Sequence, residues 1–395
     1  MRASQRGFIG QCVIWRRIQQ CLILSFLLAA CGSTDNPLPP AELPKNVTTI
    51  ALASDGDIYV GGKFTSYNGV DSRHIIRLNP DRTADPAFAV EAGFDDFVAV
   101  IAATGDGDIY VGGEFTRYSG VNSSHIIRLN PDGAIDTGFI VGTGFNDFVS
   151  TIALARDNSG DIYVGGSFSN YKETVSNRII RLNNNGTVDT GFNVGTGFNF
   201  SPNSIAVAGD GTGDIYVVGS FTMYNGTVHN RIVRLNPDGT VDTGFFVETG
   251  FNSAVYAIAL AGNGDIYASG TFVTYDGLPS NYLVRLHSNG KMDQEFAVGT
   301  GFNHPVFAIG LAVDGDIYAG GGFTLYHGLA SPYIVRLNSN GRVDKGFAVG
   351  TSFNDFVSAM TLDSTGNIYV GGNFILYNTT VVDKITRLNT IGGVN

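Results

Sequence analysis

The chain alternates short apolar runs with polar turns, and that alternation recurs seven times. In the first copy a small apolar run, Ile50-Ala51-Leu52, gives way to an Asp/Gly turn, then to Ile58-Tyr59-Val60-Gly61-Gly62 and a phenylalanine. An Asp-Gly pair between two apolar runs predicts a β-hairpin. A longer polar segment, 67–73, leads to Ile75-Ile76-Arg77-Leu78-Asn79, a tight Asn-Pro-Asp turn and an Asp-x-x-Phe close at Asp85 and Phe88. No stretch carries helical periodicity. Each unit therefore predicts three clear strands and a weaker fourth.

The string Gly-Asp-Ile-Tyr recurs with its tyrosine at Tyr59, Tyr110, Tyr163, Tyr216, Tyr267 and Tyr318, and as Gly-Asn-Ile-Tyr at Tyr369. The steps are 51, 53, 53, 51, 51 and 51 residues, the longer two reflecting insertions in the turns before Gly160 and Gly213. Repeats of about 51 residues with no helix predict an all-β, seven-bladed β-propeller over 47–395. The rival, a β-helix, has coils about half as long. Paired glycines such as Gly61-Gly62, Gly112-Gly113 and Gly371-Gly372 weaken a strand unless neighbouring backbone must come close, which wedge-shaped blades require. The seventh copy ends six residues after Asn389, before an Asp-x-x-Phe segment, so closure of the ring is an open question.

Composition narrows the function. With 43% apolar and 15% charged residues the chain can bury a large core, and 24 basic against 35 acidic side chains leave a net charge of -11. Such a surface repels a phosphate backbone, which sets nucleic acid aside. The ring is read as a monomer.

Residues 1–30 read as a lipoprotein signal peptide, with Arg2, Arg6, Arg16 and Arg17 ahead of an apolar stretch too short to span a bilayer. Leu28-Ala29-Ala30-Cys31-Gly32 resembles a lipobox, which makes Cys31 the lipidated first residue of the mature chain and the link to a lipid bilayer. An ordinary secretory signal with a cysteine at its cleavage site is the alternative. Cleavage removes Cys12, Cys21 and Trp15, leaving no internal disulfide and no indole. Residues 31–46, with Pro37, Pro39, Pro40 and Pro44, read as a tether. Gly32 after the cysteine resembles a signal for passage to the outer membrane of a bacterial envelope.

Every unit has an arginine, and six follow it with an aspartate: Arg77 and Asp85, Arg128 and Asp136, Arg181 and Asp189, Arg234 and Asp242, Arg285 and Asp293, Arg336 and Asp344, then Arg387 alone. A catalytic pair is needed once, so these predict structural ion pairs pinning each last hairpin to its neighbour. The turns place Asp55, Asp57, Asp106, Asp108, Asp210 and Asp214 at alternate positions, as a calcium loop would. They are short, no bidentate glutamate closes them, and Asn367 replaces the second aspartate in the last copy. They read as ordinary turns, with Ca2+ as the alternative and no other cofactor implied. Variety collects between the second and third strands, at Asn68, Asp71, Arg73, His74, Lys172, Glu173, His229, Asp276 and His327. In a propeller these loops share a face with the links between blades, so that face is the predicted binding face. No nucleophile elbow, metalloprotease helix or phosphate loop is present.

The units resemble delta-60 repeats, a bacterial family, in Gly107 to Phe115, in Arg128-Leu129-Asn130-Pro131-Asp132-Gly133 and in Asp136 to Phe139. The resemblance implies a propeller-like domain in an exported protein and carries no activity or cofactor. The expectation is a lipid-anchored propeller that binds or scaffolds a protein or glycan without catalysis. One alternative is a propeller lyase or hydrolase acting on polysaccharide through titratable residues in the central funnel. Another is a calcium-dependent adhesin.

Overall fold

The computed structural model describes residues 47–296, 299–382 and 384–394. The signal peptide, Cys31 and the tether lie outside them. In the first repeat β1 (Val47–Leu52), β2 (Ile58–Gly62), β3 (Ser66–Tyr67), β4 (Val70–Asp71) and β5 (Ile75–Leu78) follow in chain order. Antiparallel pairing gives a three-stranded sheet β1-β2-β5 and a separate β3-β4 hairpin, and all seven repeats adopt this arrangement.

The Asp-Gly turn forms because Gly56 takes a left-handed φ of +94, letting the Ala53 N–H reach Asp57 O at 2.9 Å and the Gly56 N–H reach Ala53 O at 3.1 Å. Both outer strands of the sheet run opposite to β2. The start of β1, the end of β2, the β3-β4 hairpin and the start of β5 therefore share one end of the blade. The Asp-Gly turn and the exit from β5 share the other.

Inner strands pack side by side around a ring, β1 beside Val98–Ala103 and so on to Val357–Leu362, which packs back against β1. Glycine makes that approach feasible. A Cβ at Gly61 would lie 2.6 Å from Val98 Cγ1, and one at Gly371 would lie 2.4 Å from Val47 Cγ1. The second contact joins repeat seven to repeat one, so the ring closes through ordinary blade packing. The core is correspondingly a ring of seven interblade layers. One combines Tyr59, Ile75 and Phe88 with Val98, Ile109 and Phe115, and the closing one combines Val47, Ile50 and Ile58 with Ala359, Tyr369 and Ile385.

The weaker fourth strand does not form. After β5 the chain makes a single bridge, Leu78 to Ala84, and Asp85 N–H bonds back to Arg77 O at 2.9 Å. The Asp-x-x-Phe segment is then a turn that delivers Phe88 edge-on to Tyr59, with centroids 5.5 Å apart. Repeat seven makes the same bridge, Leu388 to Val394.

Candidate functional site

At the turn end each repeat builds the same polar knot. Tyr59 and Arg77 stand directly opposite in the β2-β5 ladder, where cross-strand side chains share a face, and the guanidinium lies 5.4 Å from the ring centroid. It meets Asp55 at 2.5 Å, Asp57 at 3.0 Å and Asp85 at 3.4 Å. Arg128 meets Asp106, Asp108 and Asp136, while Arg181 meets Asp157, Asp161 and Asp189. Arg336 meets Asp314, Asp316 and Asp344. Arg234 pairs with Asp214 and Asp242, Arg285 with Asp265 and Asp293, and Arg387 with Asp363.

One expectation changes here. The ion pairs stay within their own repeat; what crosses to the next blade is an arginine-to-carbonyl bond, Arg77 Nη1 to Pro131 O at 2.8 Å and Arg336 Nη1 to Thr390 O at 3.1 Å. Asp55, Asp57, Asp106, Asp108 and Asp214 surround a guanidinium, while Asp210 accepts from Thr212. Among the described residues no group of three or more His, Cys, Asp or Glu is placed to hold a metal. Burial, reinforced by neighbouring carboxylates, pushes Asp57, Asp108, Asp214 and Asp316 above the usual carboxylate range. Burial opposes ionisation of Asp157 too, but Ser159 and Arg181 outweigh it and hold that group at about 2.

The hairpin end carries the predicted binding residues, distributed around the ring. Asn68, Lys172, Asp276 and His327 are turn corners, with left-handed φ of 46, 51, 47 and 49. Three of them also brace the incoming link. Lys172 donates to Ile140 O and Gly186 O, each at 2.8 Å; Asp276 accepts from the Thr249 and Gly250 N–H groups; His327 Nδ1 accepts from Thr300 N–H. Glu173 is exposed beside Lys172, and exposed Asp71 pairs with Arg73 at 3.5 Å. His74 has a φ of 77 and lies 3.2 Å from Gly62 O, while His229 contacts Thr227 at 3.0 Å. Burial lowers the pKa of both histidines. These residues therefore do not converge on one site, and several are struts.

What does converge is a set of aromatic rings, none of them among the variable polar residues. The inner strands start at the hairpin end, so the residues around their first positions rim the axis there. Phe97, Phe148 and Phe356 precede the inner strands, and Tyr256 and Phe307 sit two positions later on theirs. One arc joins Phe97 to Phe148 at 5.6 Å between centroids; the other joins Tyr256 to Phe307 at 5.9 Å and Phe307 to Phe356 at 6.2 Å. Tyr333 adds an edge to Phe356 at 6.0 Å. Gly322, where other repeats carry a side chain such as Lys63 or Glu114, leaves room, since a Cβ there would lie 3.3 Å from the Phe356 ring. Reading positions i and i+2 about the first strand residue together, rather than column by column, exposes this signal. The inner strands themselves contain no Asp, Glu, His, Lys, Arg or Cys.

Several solved structures share the fold. The WD40 β-propeller domain of Doa1 aligns with a TM-score of 0.58 at 14% identity, over 88% of this chain and 93% of that one. U3-55K aligns at 0.54 and 13% identity, over 86% and 94%. The extracellular domain of the hybrid two component system BT4673 from B. thetaiotaomicron aligns at 0.53 and 16%, over 89% of this chain, which spans 39% of that one. These likenesses show a propeller. No match was found among curated proteins. A family model described as a domain of unknown function (DUF5122) beta-propeller matches residues 53–88, 104–139, 158–192, 210–245, 261–296 and 314–347, together more than half the chain. With its knots, turns and blades all following that repeat, the chain belongs to the DUF5122 beta-propeller family.

Proposed function

We propose that this propeller is a lipid-anchored module of a bacterial cell envelope that binds or scaffolds a partner through its hairpin end, without catalysis. The observation that carries the reading is the chemistry of the axis. A lyase or hydrolase needs positioned acids and bases that converge, whereas the seven inner strands offer none and the rim offers aromatic rings with carboxylates spread one to a repeat, Asp96, Asp147 and Asp355, each already accepting the next residue's N–H. Aromatic side chains are enriched where one protein surface meets another. The anchor rests on the lipobox-like segment ending in Cys31, and outer-membrane residence on Gly32 after it.

Two measurements test this. Cys31→Ser should move the full-length chain from the membrane fraction to the soluble one, and unchanged partition would overturn the anchor. A photo-crosslinking residue at position 356 should capture a partner in cells and one at position 132, in a turn at the other end, should not; equal capture at both would overturn the choice of face. The calcium-dependent adhesin reading stands against this one and predicts a melting temperature that falls on chelation, since a ligand at about 100 times its Kd adds about 2.7 kcal/mol.

A further inference from the structure

We infer that the aromatic rim at the hairpin end receives a cationic polypeptide segment, with lysine or arginine side chains seated against the rings. The inference rests on the binding-module reading and supplies its partner chemistry.

Three of the rim rings carry a carboxylate immediately before them in sequence: Asp96 before Phe97, Asp147 before Phe148 and Asp355 before Phe356. In each, Oδ1 accepts the N–H of the ring residue, at 2.7, 2.7 and 2.8 Å, so acid and ring are fixed as a unit. The next strand adds to this at one unit, because Glu114 N–H bonds to Phe97 O at 3.1 Å. Lys63 holds the equivalent place in repeat one. Phe356 is 38% exposed and Phe97, Phe148 and Phe307 are half-buried, while Tyr256 is buried.

Apolar rings flanked by fixed carboxylates match a particular partner. A guanidinium or ammonium gains from the face of a ring and from a neighbouring carboxylate together, and complementary potential steers the encounter. A neutral glycan would use the rings and gain nothing from the charge on Asp96 and Asp147. An acidic peptide or an anionic lipid surface would be repelled. The two arcs, separated by the polar repeats one and four with Thr48, Ser201 and Asn203, suit an extended segment touching both sides of the axis better than one small cation.

The test uses the full chain with a hexa-arginine peptide and its uncharged hexa-citrulline counterpart, measured by calorimetry. Arginine peptide should bind, citrulline peptide should bind at least about tenfold more weakly, and raising salt from about 0.05 to about 0.5 M should weaken the first markedly. The triple change Asp96→Asn, Asp147→Asn, Asp355→Asn keeps the oxygen that caps each ring residue and should cost about tenfold in affinity. Phe97→Leu with Phe356→Leu, which keeps apolar bulk and removes the rings, should cost several-fold, with unchanged melting temperature certifying the fold. The turn end is also acidic, so binding that survives both sets and falls with Asp55→Asn and Asp106→Asn would overturn the inference. Equal binding of the two peptides would overturn it too. Capture at position 356 of a neutral glycan or an apolar protein would refute the cationic partner and leave the binding-module reading standing, whereas loss of face-selective capture would sink that reading itself.

Discussion

The two ends of this propeller are made of the same repeats and obey different rules. At the turn end side-chain identity does the holding: arginine against its aspartates, arginine to the next blade's carbonyl, tyrosine under arginine. At the hairpin end backbone conformation does most of it, with a different side chain serving as strut in different repeats, Lys172, Asp276 or His327. His74, His125, Arg178, Arg231, Tyr282, Tyr333 and Lys384 occupy one position and share φ between 65 and 77, although their side chains range from imidazole to guanidinium, phenol and ammonium. Where the chain is fixed by main-chain hydrogen bonds, such as His74 N–H to Phe64 O at 2.8 Å and Lys384 N–H to Phe374 O at 3.0 Å, residue type is free to change. A surface that can vary without unfolding is one that can be fitted to a partner.

The sharpest way to break this contrast is at Arg181, 9% exposed among three aspartates. Arg181→Ala leaves those carboxylates uncompensated and should cost about 3 kcal/mol in chemical denaturation. A cost under about 1 kcal/mol would mean that the knots are ornaments on a fold held by its apolar layers. Gly372→Ala tests whether the hairpin end is as permissive as its loops. A Cβ there would sit 2.0 Å from Phe356 O, a backbone atom that cannot step aside, so a loss of about 2 kcal/mol is expected. Tyr118→Phe comes next. Its hydroxyl donates to Gly133 O at 2.7 Å and is buried, tying hairpin to turn within one repeat, and the orphaned carbonyl should cost about 1 kcal/mol.

Acid should act on the turn end in two opposed ways. Asp157 has a folded pKa of about 2 against an ordinary aspartate value of 3.8, so its contribution is present above about pH 4 and lost as pH falls toward 2. Asp57, Asp108, Asp214 and Asp316 are raised, so each carries a cost at neutral pH that protonation relieves first. Stability followed by denaturant midpoint should therefore fall less than expected on mild acidification, then drop below pH 4. Asp157→Asn should flatten the lower limb. An unchanged limb would locate the acid response elsewhere.

How far the sequence was legible depends on what each signal encodes. The repeat count, the three strands and the Arg-Asp partnership are written in residue types that recur, and recurrence is visible in one chain. The fourth strand failed because Asp-x-x-Phe has the apolar spacing of a strand, yet Asp85 is engaged by Arg77 and its Oδ1 accepts the Ala87 N–H, which turns the chain. The turn aspartates read as ordinary turns with calcium as the alternative, because oxygens at alternate positions suit calcium and guanidinium alike; only the strand register brings Arg77 over Asp55 and Asp57. Ring closure was hidden in Gly371 and Val47, which are more than three hundred positions apart. The aromatic rim was missed because its members fall in two different columns of the repeat.

The smallest effect separates the two ends most cleanly, because it should have the opposite sign. Lys384 is half-buried at a φ of 69 and uses its N–H to bond Phe374 O. A bulky residue in that conformation carries about 1 kcal/mol of strain that glycine does not. Glycine also loses more freedom on folding, which takes back part of the gain. Lys384→Gly should therefore leave stability unchanged or raise it by up to about 1 kcal/mol, while Arg387, three residues on, should lose stability when truncated to alanine. If Lys384→Gly instead costs more than about 1 kcal/mol, the side chain is holding the hairpin end after all. Variety there would then reflect seven separate solutions to packing, and the case for a surface free to be fitted to a partner would lose its physical basis.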